Sequence, residues 1–107
     1  MAEERYDPDD VLEILKEFVD EAREFLPVVK AVLHDTDISG GLGVDDEVTL
    51  AIFVRGYGHM GAIKAEEELL FRTEGYDLSI APSLYPASAL SRNSYVREHI
   101  LATGMEI

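Results

Sequence analysis

The chain has no cysteine and no tryptophan, and only three lysines, Lys16, Lys30 and Lys64. Without thiols, disulfide cross-links, thiolate zinc sites, iron–sulfur clusters and cysteine nucleophiles are excluded. No apolar run approaches the ~18–20 residues that a membrane-spanning helix needs. Positive charge is scarce: nine Lys and Arg stand against 22 Asp and Glu, a formal net charge of −13. Nonspecific nucleic-acid binding is therefore disfavoured, because no basic stripe is available to displace counterions from phosphates. The opening Met1-Ala2-Glu3-Glu4-Arg5 is acidic and polar, unlike a secretory signal. The expectation is a soluble, cytoplasmic protein.

What is present suffices for one core. With 107 residues, 47% of them apolar, the chain reads as a single domain over 1–107, residues 1–7 being a flexible lead-in. The acidic residues are spread along the chain and form no tail. Low lysine together with distributed acid is the composition of a protein adapted to high salt, where counterions screen the self-repulsion of an acidic surface.

The hydrophobic pattern resolves into alternating elements. Val11, Leu12, Leu15, Phe18, Val19, Ala22, Phe25 and Leu26 recur at steps of three and four, which predicts a helix capped by Asp9 or Asp10 and stopped by Pro27. Val28–Leu33 is short and β-branched, a strand. Residues 34–46 contain Gly40, Gly41 and Gly43 and read as a loop. Residues 47–54 (Glu-Val-Thr-Leu-Ala-Ile-Phe-Val) form the strongest strand, their nearly continuous apolar run suggesting cover on both faces. After a Gly-rich turn, a helix over 62–73 carries Ile63, Leu69, Leu70 and Phe71, and Gly75 stops it. Residues 76–81 alternate as a half-buried strand. Pro82 and Pro86 mark a connection to a third helix near 94–103, capped by Asn93 or Ser94, packed through Tyr95, Val96, Ile100 and Leu101, and ended by Gly104. Met105-Glu106-Ile107 suits a short edge strand. The fold class is α/β (α+β): a small mixed sheet of three or four strands with helices packed on it.

This order resembles the minimal nucleotidyltransferase domain of the polymerase-β superfamily over residues 8–107. The family pattern is a strand, then Gly-Ser-x-Ala-x-Gly, then Ser-Asp-x-Asp-x opening the next strand, with a third acid on the strand after. Its closing helix and turn are similar to residues 93–107. Set without gaps, Gly-Ser falls on Asp35-Thr36 and the later glycine on Gly40. The Ser-Asp-x-Asp-x run falls on Asp46-Glu47-Val48-Thr49-Leu50, and the third acid on Ser79, with Asp77 two residues earlier. The resemblance thus implies nucleotide contacts at Thr36 and Gly40 and metal or catalytic roles for Asp46, Glu47 and Asp77. It also shows what is missing. Nucleotidyl transfer uses two divalent ions about 3.5–4 Å apart, and Mg²⁺ demands charged oxygen ligands. Two carboxylates at i and i+2 share one strand face, whereas here the pair is Glu47 and Thr49. A threonine hydroxyl cannot bridge two ions, and Asp35 puts negative charge where a phosphate should sit.

The resemblance then implies a degenerate active site, no resident cofactor, and a binding or regulatory, antitoxin-like role beside a small helical protein such as a HEPN-type toxin. The alternatives are an active Mg-dependent nucleotidyltransferase using Asp46, Glu47 and Asp77, and an α+β domain of unrelated family. Other motifs are weaker. Gly56-x-Gly58-x-x-Gly61 has dinucleotide spacing but no well-placed acidic partner. Ser39-Gly40-Gly41-Leu42-Gly43 precedes a strand, unlike a P-loop. Asp35, Asp37, Asp45, Asp46 and Glu47 lack EF-hand spacing and read as a solvated loop. His34, His59 and His99 are isolated, Glu66-Glu67-Glu68 reads as a solvated helix face, and Tyr57, Met60 and Tyr85 are contact candidates.

Adaptation to salt is open to a direct test. The melting temperature should climb as NaCl is raised from tens of millimolar to molar, and a midpoint indifferent to NaCl would remove the idea.

Overall fold

The computed structural model describes residues 5–43, 45–59 and 61–107. The first strand, β1 (Arg5–Tyr6), belongs to the stretch read as a flexible lead-in and pairs antiparallel with β3 (Leu42–Gly43) inside the glycine loop. Between them come α1 (Pro8–Arg23) and β2 (Val28–His34). β4 (Glu47–Val54), a 3₁₀ turn (Tyr57–His59), α2 (Ala62–Thr73) and β5 (Ser79–Pro86) follow. The chain closes with α3 (Ala89–Arg92), a π-helical segment α4 (Val96–Leu101), and β6 (Met105–Glu106). The sheet is mixed, in the order β5-β4-β2-β6, with β2 antiparallel to both β4 and β6 and β4 parallel to β5. The α+β class is as expected. Among the described residues no helix is long and apolar enough to cross a membrane.

Helix α1 starts earlier than either Asp9 or Asp10. Asp7, in extended conformation, is the N-cap, and Pro8 occupies the first turn, where its missing N–H costs nothing. Asp9 and Asp10 instead sit in that first turn, facing the positive end of the helix dipole. Its stripe Val11, Leu15, Phe18, Val19 and Ala22 is buried on the sheet face shown by Ala31, Leu33, Val48, Leu50, Ile52 and Val54. The opposite face carries a smaller core of Val32, Ala51, Phe53, Ala89, Val96 and Ile100. Both faces of β4 are covered, which is why its apolar run is nearly unbroken.

One sequence expectation is corrected here. The third large strand begins at Ser79, not residue 76, and runs straight through Pro82 to Pro86. Proline is tolerated because β5 is an edge strand. Ala87 donates its N–H inward to Val54 while Leu84 donates outward to Glu66 Oε1 at 3.3 Å, so the even-numbered positions face the open edge. Pro82 and Pro86 fall on that outward set and carry no N–H, which blunts the edge against further strand pairing. The third helix is where it was expected: after the short α3, residues 94–95 are helical and run on into α4, and Asn93 Oδ1 caps that start by accepting the Val96 N–H at 3.1 Å.

Helix α1 is tied to α2 by a polar clamp. Arg72 donates to Glu21 and to Glu68, both at 2.9 Å, and its guanidinium lies 4.4 Å over the Phe25 ring. Tyr76 donates to the other Glu21 oxygen at 2.9 Å, and its ring meets Phe18 edge-on. The Arg72 and Tyr76 hydrogen bonds hold the Glu21 carboxyl below its usual range. Burial, then the bond to Glu21, pushes Tyr76 up to about 12. The Glu21 contribution is present above the ordinary carboxylate range and fades as acid protonates the clamp.

The turn from α4 into β6 is tight. A Cβ at Gly104 would meet the Ile100 carbonyl, the Val32 methyl and, at 2.9 Å, the Leu33 carbonyl. Gly104→Ala should cost at least about 1–3 kcal/mol in urea unfolding. Gly58→Ala, where nothing lies within 4 Å, should stay within about 0.5 kcal/mol.

Candidate functional site

Register gathers the positions singled out in the sequence at one end of the sheet. Glu47 pairs with Ser79 across the parallel β4–β5 ladder, and Thr49 pairs with Ala81 on that side and with His34 on the other. Strand alternation puts Glu47 and Thr49 on the face of Ala51 and Phe53, away from α1. Ser79 lies on the same face by the same alternation from Tyr85, which stacks on Phe53 with centroids 5.3 Å apart. The three positions matched to metal-binding acids are thus neighbours, and they hold one carboxylate and two hydroxyls.

The remaining candidates do not join them. Asp77 is exposed in the bend before β5, not on the strand face expected for it, because the strand starts two residues later. Asp46 is committed to its own turn, its Oδ2 accepting the Gly43 N–H at 2.7 Å. Gly40 is exposed at a turn closed by the Gly41 N–H bonding the Ile38 carbonyl. The loop as a whole is better anchored than its glycines suggest, since Ile38 and Leu42 are buried in the main core.

Thr36 has a role that spacing alone does not show. Its hydroxyl donates to the His34 carbonyl at 3.1 Å and accepts the Thr49 N–H at 3.2 Å, continuing the β2–β4 ladder past its last backbone pair. Asp35 adopts φ 52°, the one non-glycine residue in the left-handed region among the described residues. A left-handed backbone is what glycine adopts freely, and glycine is what the family pattern has at this position. Asp35 Oδ2 lies 3.1 Å from His34 Nδ1, while the buried His34 Nε2 has no partner. Asp37 Oδ1 accepts both the Ser39 hydroxyl (2.7 Å) and the Ser39 N–H (2.9 Å), and those two bonds keep its carboxyl below the usual range. Asp35, Thr36 and Asp37 line an open cleft of about 630 Å³ together with Thr103. Thr103 reaches it from the far end of the chain; only the β2–β6 pairing brings it there.

The donor set does not fit two magnesium ions. Mg²⁺ sites in this chemistry need shared carboxylates; Glu47 is alone on the strand pair, Asp46 faces Gly43, and Asp77 is off the strand. Among the described residues no group of three or more His, Asp or Glu side chains is placed to hold a metal ion. The contact candidates resolve into packing: Tyr57 lies against the main core and Tyr85 on Phe53. Met60 and the side chain of His59 lie outside the described residues. No family model, no curated protein and no solved structure matches this chain.

The Thr36 hydroxyl can be isolated by substitution. Thr36→Val leaves the Thr49 N–H unpaired and should cost about 1–3 kcal/mol, with faster hydrogen exchange at Thr49. Thr36→Ser should retain most of that stability.

Proposed function

We propose that the chain is a nucleotidyltransferase-like scaffold without transferase activity, working as a binding or regulatory module in the manner of an antitoxin beside a small helical, HEPN-type protein. The observation that carries this reading is the register at the sheet end. Strand pairing sets Glu47, Thr49 and Ser79 side by side, in the places the family pattern gives to carboxylates, while the side chains themselves supply a single charge. Two further features support it. Helix α2 joins β4 to its parallel neighbour β5, as the resemblance requires. Asp35 keeps a backbone suited to glycine at the pattern's glycine position.

Chemistry argues the same way. A triphosphate approaching this end would meet Asp35 and Asp37 on the cleft wall, with no cation among the cleft's lining residues to offset them. The acidic cleft therefore repels the substrate that the scaffold would otherwise bind.

The test is a titration of ATP with Mg²⁺ or Mn²⁺ against the labelled chain. Amide resonances of residues 35–49 should stay in place, and no nucleotide should be transferred. Saturable shifts accompanied by transfer would establish the enzyme instead.

A further inference from the structure

Five large apolar side chains stand exposed among the described residues, and three of them sit on one helix: Ile63, Leu70 and Phe71 of α2 are 75%, 53% and 69% exposed. The inner side of α2 is held by one fully buried residue, Leu69, with Ala65 partly packed beside it. At roughly 100° per residue, Ile63 and Leu70 fall within ~20° of one another two turns apart, with Phe71 on the flank. The three side chains share the outer face, with Glu67 set among them at about 40° from Ile63.

Its border is acidic. Glu66 and Glu68 are occupied, the first by the Leu84 N–H and the second by Arg72, so this part of α2 is not the uniformly solvated face expected. Glu67 and Glu74, exposed along that face, make no ion pair among the described residues. Beside Phe71 opens a cleft of about 500 Å³ lined also by Glu21, Glu68, Arg72, Glu74 and Gly75. The one cation in that lining, Arg72, is already held by Glu21 and Glu68. Exposed Glu67 and Glu74 outnumber the one exposed lysine of the helix, Lys64, so the apolar face has a net negative border that favours an occupant both apolar and basic. A second copy brings the same −13 charge and the same carboxylates, and an anionic membrane surface is repelled for the same reason.

We propose that the outer face of α2 docks an amphipathic helix of another protein, its apolar stripe on Ile63, Leu70 and Phe71 and its flanking Lys or Arg against Glu67 and Glu74. This deepens the binding-module reading, on which it rests for the existence of a partner, and gives that module a surface that shares no lining residue with the strand-end cleft.

The probe is a synthetic helical peptide with a leucine stripe flanked by lysines, titrated into the isotope-labelled full chain. Saturable shifts should centre on residues 63–74. Leu70→Ser with Phe71→Ser should weaken binding about tenfold or more, and Glu67→Gln with Glu74→Gln by a smaller factor that salt abolishes. Both pairs are exposed, so melting temperature should barely move; Tyr95→Ser, at an exposed ring elsewhere, should leave binding unchanged. A scrambled peptide of the same composition binding equally well, shifts spread over the whole acidic surface, or indifference to the Leu70/Phe71 pair would overturn the proposal. So would self-association of the free chain that the same pair abolishes. ATP-dependent transfer in the earlier titration would refute the module reading and leave the peptide result standing, whereas a failed peptide titration removes only this surface.

Discussion

Burial of β4 on both faces is the constraint from which the rest follows. Val48 and every residue from Leu50 to Val54 are fully enclosed, so the strand must have a neighbour on each edge and a layer on each face. Its antiparallel neighbour β2 is reached through the hairpin loop 35–46. Its parallel neighbour β5 cannot be reached by a tight turn, because a parallel pair needs a crossover of about a dozen residues or more. Residues 55–78 supply that crossover, and α2 is its body. The helix lands on the α1 side, where Leu69 enters the main core, and leaves the other face to α3 and α4.

The same arrangement separates stability from chemistry. What holds β4 is the apolar set Val48, Leu50, Ile52 and Val54 on one side and Ala51 and Phe53 on the other. Glu47 and Thr49 sit at its open end and bear little of that load. Exchanging a carboxylate for a hydroxyl there leaves the core intact, so a scaffold of this kind can persist whatever becomes of its strand-end residues. The polar groups there bond locally: the Thr36 hydroxyl spans the His34 carbonyl and the Thr49 N–H, and Asp37 and Asp46 close their own turns.

Elements whose signals are local were legible in the sequence. The bounds of β4 and α2 follow from an unbroken apolar run and from flanking glycines, and α1 from its stripe and Pro27. Failures came where a residue's meaning depends on a distant neighbour. Pro82 and Pro86 look like breakers until β5 is known to be an edge strand with those positions facing out. His34 looks solitary until register places it beside Thr49 and burial closes over it. Thr103 belongs to the cleft only through the pairing of β6 with β2. In α2 the apolar residues do not share one buried face: Leu69 is buried, while Ile63, Leu70 and Phe71 are exposed.

Acidic side chains on this surface therefore fall into two kinds, and the difference decides where recognition can occur. At the strand ends three carboxylates take part in local bonds, Asp35 with His34, Asp37 with Ser39 and Asp46 with Gly43, while Glu47 stays exposed. A ligand that takes those same oxygens displaces the local bonds, and its gain is reduced accordingly. Along α2, Glu67 and Glu74 have no such commitments and lie next to apolar area already in water. Contact there releases water from Ile63, Leu70 and Phe71 without first undoing an internal bond. In concentrated salt the Coulombic share of that contact shrinks while the apolar share does not. The proposed contact on Ile63, Leu70 and Phe71 would thus persist where the charge of so acidic a protein is screened, because its apolar share does not depend on that charge.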